Sequence, residues 1–290
     1  MPSKTVAERS HRVKAAPFVR ARRGCYTRTA MARQRLGQYF LKNPEWRHRI
    51  LETLPLRPGE SWLEIGAGHG EMTELLSPQV GRILAVETDR LLLPGLQQRA
   101  RAEWKNVEIV AGDILALNLS PLLTGGKFRV YGNLPYYITS PILQRLFGAA
   151  PRISSIHVVI QLEVAQRIVA TPGHRDYGYL SALCQFYARP EIELRIPPGA
   201  FQPPPKVDSA LLAMFLPGAG ESLAIGNEAR FLEFLQRCFA QKRKTLRNNL
   251  RAAFSSERID RALASCRLRA DARAEQLSIP QFAALFAELV

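Results

Sequence analysis

Short apolar runs alternate with amphipathic segments between residues 61 and 170. The runs predict five β-strands, at 61–65, 82–86, 107–111, 128–131 and 156–161. The segments between them predict four helices, at 71–76, 91–104, 140–147 and 163–170. Strands and helices that alternate at this spacing predict a parallel α/β sheet covered on both faces. In such a sheet, ligands bind beyond the carboxyl ends of the strands.

The pattern changes toward the C-terminus. Two further β-like runs, at 189–196 and 207–216, flank the proline-rich segment 197–205. Beyond Pro217 the apolar spacing is purely helical, and Gly218 and Gly220 are typical of a linker. We therefore expect an N-terminal extension at 1–30, an α/β domain at 31–217 and a small all-helical domain at 218–290.

The distribution of charge indicates a kind of partner and leaves the predicted fold unchanged. The chain has 290 residues and a formal net charge of +15, and residues 1–30 hold eight basic residues against one acid. A second basic cluster, RCFAQKRKTLRNNLR at 237–251, has six basic residues and no acid. Such density favours a phosphate backbone as partner, and a solvated basic helix face is the alternative.

The remaining composition excludes several classes of protein. The sequence has no run of 18 or more apolar residues, so we expect no transmembrane helix. We expect a cytoplasmic protein, since the cysteine pattern fits a reducing compartment. Four scattered cysteines argue against a disulfide scaffold or a zinc site, and we expect no metal. The run 1–30 loosely resembles a transit peptide, but it favours a disordered basic tail; translation from Met31 is the alternative.

Three strand ends carry residues that suit a nucleoside. EIGAGHG at 64–70 places a glycine turn before a helix, although a dinucleotide fingerprint would need glycine where Glu71 stands. Glu87 ends the second strand and could accept hydrogen bonds from two ribose hydroxyls. Asp113 ends the third strand and could accept one from an adenine amino group. Each acid alone could be a solvated loop residue, but together they favour a nucleoside ligand.

The fourth strand end carries Asn133-Leu134-Pro135-Tyr136. An exocyclic adenine amine is a poor nucleophile because its lone pair is delocalised into the ring. Hydrogen bonds to the Asn133 side-chain oxygen and the Leu134 carbonyl would localise that lone pair and aim it, while Pro135 stiffens the turn. Tyr136 would stack on the base. Such a site acts through positioning and electrostatics.

These residues, in this order, resemble a class I S-adenosylmethionine-dependent methyltransferase. RLGQYFL at 35–41, NLPYYITSP at 133–141, FQPPPKVDS at 201–209 and QKRKTLRNNL at 241–250 narrow the resemblance. Together they resemble the bacterial small-subunit (16S) rRNA adenine dimethyltransferases, the KsgA/RsmA family, across residues 32–288. The resemblance implies a Rossmann-like methyltransferase domain at 31–217 and a helical rRNA-binding domain at 218–290.

The resemblance also implies the site residues. Those that would bind S-adenosylmethionine are Gln38, Tyr39, Leu41, Gly66, Gly68, Glu87, Asp113, Ile114 and Asn133. The catalytic group would be Asn133, Leu134, Pro135, Tyr136 and Phe201, with Tyr136 and Phe201 on the two sides of a flipped adenine. Tyr39 stands where the family usually has Asn or His, and Ala67 replaces a common Pro.

The implied activity is the transfer of four methyl groups, two to N6 of each of two adjacent adenosines. The adenosines lie in the 3′-terminal hairpin of 16S rRNA within the immature small ribosomal subunit, and we expect a monomeric enzyme. The residues that would contact rRNA phosphates are Lys242, Arg243, Lys244 and Arg247. The spacing of the last three predicts that they share one helical face.

Three alternatives differ in substrate or class. A large-subunit rRNA methyltransferase of the macrolide-resistance type lacks the KRKTLRNNL segment that is present here. A binding protein that keeps the fold without catalysis is disfavoured by the complete set of Asn133, Glu87 and Asp113. An N6-adenine DNA methyltransferase is disfavoured because the basic helical domain does not suit base-specific reading of a duplex.

Overall fold

A seven-stranded sheet forms the centre of the α/β part. The computed structural model describes residues 39–290 of the chain. The strands of the sheet are β2 (Ser61–Ile65), β3 (Arg82–Glu87), β4 (Val107–Ala111), β5 (Phe128–Asn133), β6 (Ile153–Gln161), β7 (Arg189–Ile196) and β9 (Ser209–Phe215). The spatial order is β4-β3-β2-β5-β6-β9-β7. The first five of these pair in parallel, whereas β9 runs antiparallel to both β6 and β7. The basic extension predicted at 1–30 lies outside the described residues.

A two-stranded ladder lies apart from this sheet. It joins β1 (Phe40–Leu41) to β8 (Phe201–Gln202) in antiparallel register. The backbone N–H groups of Lys42 and Asn43 then donate to the Ala200 carbonyl at 3.0 and 3.2 Å. Two motifs that are about 160 residues apart in the chain are thereby brought together.

Ten helices are found among the described residues. Those of the α/β part are α1 (Pro44–Thr53), α2 (Glu71–Leu76), α3 (Leu93–Ala102), α4 (Thr139–Phe147), α5 (Leu162–Val169) and α6 (Tyr179–Tyr187). The C-terminal ones are α7 (Glu228–Cys238), α8 (Leu246–Leu250), α9 (Ser256–Ser265) and α10 (Ile279–Leu289). Within the described part of the chain, no helix has the length and apolar character needed to cross a membrane.

Helices cover both faces of the sheet, as the sequence predicts. Trp62 of β2 packs with Ile50 of α1 and Leu96 of α3 on one face. Leu63 of the same strand packs with Ile142 of α4 on the other. Because successive side chains of a strand point to opposite faces, a strand covered on both sides must be apolar almost throughout.

A third core cluster holds the C-terminal helices together and reaches into the α/β part. Phe231 and Phe282 lie at its centre, and Phe186 of α6 packs 5.2 Å from the Phe231 ring. The two glycines of the predicted linker are tightly packed. A Cβ on Gly220 would lie 2.5 Å from the Phe186 ring, and one on Gly218 would overlap the backbone of α6 and the residue after it. The domain boundary at 217/218 stays a prediction.

Candidate active site

The strand order reverses between β2 and β5, since β3 and β4 lie on one side of this pair and β6 on the other. Such a switch point opens a crevice at the carboxyl ends of the strands. The structure has an open cleft there of about 750 Å³, counting its solvent-filled mouth. Its lining includes the predicted residues Tyr39, Gly66, Gly68, Glu87, Asp113, Ile114, Asn133, Leu134, Pro135 and Tyr136.

The glycine loop after β2 forms one wall of the cleft. Gly66 and Gly68 have φ values of +73° and +62°, which favour glycine. The N–H groups of Gly66 and Ala67 donate to the Val86 carbonyl at 2.9 and 3.2 Å, which fixes the loop on β3. Nothing lies within 4 Å of a Cβ added at Gly66, so this residue leaves room for a ligand.

Glu87 ties the loop to the end of β3. Its carboxylate is 3% exposed and accepts N–H groups from Gly68, Thr88 and Asp89, each at 2.8 Å. An ionised carboxylate offers about four lone-pair positions, so at least one is left for a ribose hydroxyl. The structure therefore brings Glu87 to the predicted place, and ribose binding itself stays a prediction.

Asp113 and Ile114 follow β4 at the next strand end. One carboxylate oxygen of Asp113 accepts the Leu115 N–H at 2.9 Å, which leaves the other for a ligand. Asp113 is exposed and Ile114 is buried, so the pair offers a polar edge beside an apolar surface. This combination suits a purine base.

Asn133 is held by the segment that precedes β1. Its side-chain nitrogen donates to the Tyr39 carbonyl at 2.7 Å, so the amide oxygen is the atom that can accept a hydrogen bond from a substrate. The Leu134 N–H donates to the Val159 carbonyl at 3.0 Å, and the Pro135 carbonyl accepts the Ile138 N–H at 3.1 Å. The motif is thus a fixed turn.

Tyr136 is fixed at both ends of its side chain. The hydroxyl forms a 2.6 Å hydrogen bond with Ser209, and the ring centre lies 5.2 Å from that of Tyr39. Burial raises the pKa of Tyr136, and the hydrogen bond with Ser209 opposes part of that effect. The ring is therefore a neutral, positioned surface beside Asn133.

Two predicted residues of the described part do not line the cleft. Leu41 and Phe201 face each other in the β1–β8 ladder and are only 6% and 4% exposed, within the core. Gln38 lies outside the described residues. The contact of Leu41 with the cofactor and that of Phe201 with the base stay predictions.

Glu64 is a buried acid that sequence reasoning missed. It is 2% exposed on β2, directly below the glycine loop, and Thr73 Oγ1 donates to its carboxyl at 2.6 Å. Burial raises its pKa to about 8; the Thr73 hydrogen bond lowers it and the charge of Glu87 raises it further. The sequence signal for this burial is the alternation of side chains along β2. Residues two apart share a face of the sheet, so Glu64 points to the same covered face as Trp62.

Lys42 fastens the β1 segment to α2. Its ammonium group lies 2.7 Å from Glu71. Burial alone would raise the pKa of Glu71, but the hydrogen bond and charge of Lys42 hold it below its usual value. The segment that carries Tyr39 is thus fixed by β8 on one side and by α2 on the other.

The basic cluster of the helical part is exposed, but it is not one helical face. Helix α8 begins only at Leu246, because the Thr245 hydroxyl caps it by accepting the Asn248 N–H at 3.3 Å. Arg243 and Lys244 therefore lie in the preceding turn, and the predicted shared helical face with Arg247 is wrong. Arg247 itself pairs with Asp260 at 2.8 and 3.0 Å, and Lys242 donates to the Arg175 carbonyl at 2.5 Å.

Between residues 39 and 290, no three His, Cys, Asp or Glu side chains group as ligands for a metal ion. The thiols of Cys184, Cys238 and Cys266 are free. The expectation of a metal-free enzyme stays a prediction.

Fold and site together define a Rossmann-like methyltransferase: a doubly wound sheet with a cleft at its switch point and Asn-Leu-Pro-Tyr at the edge of that cleft. The family model for ribosomal RNA adenine dimethylases matches residues 29–290. The chain therefore belongs to the ribosomal RNA adenine dimethylase family.

Named relatives agree with this membership. The chain is 44% identical over 257 residues to the ribosomal RNA small subunit methyltransferase A of Acidobacterium capsulatum, covering 88% of this chain and 90% of the relative. It is 40% identical over 260 residues to the protein of the same name from Geobacter metallireducens, covering 88% and 94%.

Solved structures support the fold. A dimethyladenosine transferase from Plasmodium falciparum matches with a TM-score of 0.73 and 24% identity, over 85% of this chain and 95% of that one. The 23S rRNA methyltransferase ErmE matches with a TM-score of 0.67 and 27% identity, over 86% and 99%. The predicted fold class is confirmed.

Proposed function

We propose that the chain dimethylates N6 of two adjacent adenosines in the 3′-terminal hairpin of 16S rRNA, late in maturation of the small ribosomal subunit. The observation that carries this proposal is the placement of Asn133. Its amide nitrogen is bound to the Tyr39 carbonyl, so its oxygen is presented as an acceptor at the switch-point cleft. An adenine amino group is a donor of the matching kind.

S-adenosylmethionine is the methyl donor that this cleft suits. Glu87 would accept hydrogen bonds from the ribose, and Asp113 and Ile114 would hold the adenine by its edge and face. The open, left-handed backbone at Gly66 would leave space for the methionine end. The cofactor supplies an activated methyl group when it is bound.

The chain's own residues would prepare the target amine. Hydrogen bonds from the amine to the Asn133 amide oxygen and the Leu134 carbonyl draw the lone pair out of the ring and aim it. The turn is fixed before substrate arrives, so little reorganisation is needed at the moment of reaction. The amine proton becomes acidic once the new bond forms, so water can accept it and no strongly basic side chain is required.

The helical part would hold the RNA by its phosphates. Lys242, Arg243 and Lys244 are exposed and carry like charge in one turn, which favours an anionic partner. A hairpin loop presents splayed bases, so the target adenine can leave its stack at low cost. We expect the substrate to be the immature subunit, and the enzyme to act in the cytoplasm as a monomer.

The test is methyl transfer from tritiated S-adenosylmethionine to three substrates: immature small subunits that lack the mark, naked 16S rRNA and large-subunit rRNA. Dimethyladenosine in the small-subunit hairpin is the expected product. Transfer only to large-subunit rRNA, the substrate class named for ErmE, would refute the proposal, as would transfer only to DNA.

A further inference from the structure

Three aromatic side chains line the cleft among the described residues, and they divide between its two ends. Phe40 packs against the glycine loop, because its ring centre lies 5.5 Å from that of His69 and its edge approaches Gly68. Tyr39 lies instead against Tyr136, with 33° between the two ring planes. The end of the cleft that contains Asn133 therefore has two adjacent tyrosine rings.

Phe201 is the residue that the sequence predicts opposite Tyr136. Its side chain is 4% exposed and packs in the core beside β1. A base that stacked on Tyr136 would meet the ring of Tyr39 on its way in, at the 5.2 Å separation of the two ring centres.

We propose, on the basis of the function proposed above, that Tyr39 forms the second aromatic wall of the pocket for the target adenine. The flipped base is held between Tyr39 and Tyr136. A base that stacks on both rings needs room between them for its own thickness. The two ring centres are only 5.2 Å apart, so the rings must move apart when the base enters.

The structure indicates which ring moves. Tyr136 is held through its hydroxyl by Ser209, whereas the structure records no hydrogen bond to the Tyr39 hydroxyl from any residue in 39–290. The Tyr39 backbone is fixed by its bond to Asn133, so the ring opens by rotation of the side chain. One residue thus both orients the catalytic amide and encloses the base.

The test places 2-aminopurine at the target adenosine of a hairpin RNA, because this fluorescent base is quenched when it stacks. In the wild-type complex the base is out of the RNA stack but between two rings, so its emission stays low. Tyr39→Leu should raise the emission of the bound base several-fold. It should also lower kcat/KM on the unmodified substrate by roughly 5- to 160-fold, the range for loss of one base–aromatic stack.

Tyr39→Phe keeps the ring and should restore both readouts toward wild type. The matched control is Tyr137→Leu, which removes a tyrosine that is 63% exposed and does not line the cleft, and should leave the quenching unchanged. Wild-type emission in Tyr39→Leu would overturn the proposal, even if kcat/KM fell, because the residue would then serve the cofactor alone. A gain in kcat/KM would also overturn it, because the ring would then be an obstruction.

This result is separable from that of the proposed function. If the wild-type chain methylates none of the rRNA substrates, the proposed function itself fails. If the wild type methylates small-subunit rRNA and Tyr39→Leu matches it in both readouts, only the role of Tyr39 fails. Circular dichroism of the variants shows that each comparison is made on folded protein.

Discussion

Gly70 offers the sharpest test of how the glycine loop after β2 packs. It is the N-cap of α2 and has a φ of +84°. A Cβ at this position would lie 2.5 Å from the Trp104 ring and 3.1 Å from Leu96. Trp104 is 5% exposed and the Arg99 guanidinium lies over its ring at 4.5 Å, so the ring has little room to withdraw.

The structure sets the size of the expected effect for Gly70→Ala. A side chain in the left-handed region costs about 1–2 kcal/mol, and overpacking a close-packed site typically costs about 1–3 kcal/mol. The free energy of unfolding should therefore fall by about 2–5 kcal/mol. Loss of that size is a large share of the stability of an ordinary domain.

Two other glycines distinguish the cost of the left-handed backbone from the cost of the clash with Trp104. Gly66 has a φ of +73° but open space around a Cβ, so Gly66→Ala should show the backbone cost alone, about 1–2 kcal/mol. Gly95 lies within α3 with nothing near a Cβ, so Gly95→Ala should stabilise the protein by up to about 1 kcal/mol. Urea unfolding followed by far-UV circular dichroism measures all three. If Gly70→Ala costs no more than Gly66→Ala, the proposed clash with Trp104 does not exist.

The remaining predictions concern the chemistry, a buried acid and the RNA surface. Asn133→Ala should reduce methyl transfer by at least about 100-fold while rRNA binding stays nearly unchanged, and retained turnover would remove Asn133 from its role. Burial raises the folded-state pKa of Glu64 to about 8, so the folded protein favours the neutral carboxyl. The contribution of Glu64 to the free energy of unfolding is therefore complete below about pH 4.5 and is lost as the pH rises to about 8. Urea unfolding at about pH 5 and about pH 9 should therefore show wild type losing stability relative to Glu64→Gln, and parallel behaviour of the two proteins would contradict the buried ionisation. Charge reversal of Arg243 and Lys244 should weaken binding to small-subunit rRNA and reduce the slope of log K against log salt by about 1.5–2, whereas an unchanged slope would make this turn a solvated surface.

The sequence predicted the elements whose pattern is strongly periodic. The strands at 107–111 and 189–196 have the predicted bounds, because both are bounded by clear turn signals. Helix α1 was missed because it is mostly polar and buries only Ile50, and α6 because it is apolar almost throughout and so lacks a helical period. The β1–β8 ladder has two residues on each side, too few for any alternation to appear.

The same distinction holds within the site. Glu87, Asp113 and Asn133 follow strands, and the carboxyl ends of parallel strands share one edge, so their meeting could be predicted. The burial of Phe201 and the approach of Tyr39 to Tyr136 depend on a pairing between distant segments, which no local pattern records. Arg243 and Lys244 lie outside the helix that the spacing predicts, because the Thr245 hydroxyl caps α8 and the helix begins after it.

The packed glycines at the start of the helical part have a consequence for how the protein and the RNA move relative to each other in the proposed reaction. Gly218 and Gly220 lie so close to α6 that neither tolerates a Cβ, and Phe186 joins the helical core. The segment that connects the α/β part to the helical part is therefore tightly packed against α6. The basic surface that would bind a hairpin is then held at a fixed distance from Asn133. A second adenosine would then come to the same amide when the RNA shifts along the protein or rebinds to it. The travel between the first and second targets is then a property of the RNA.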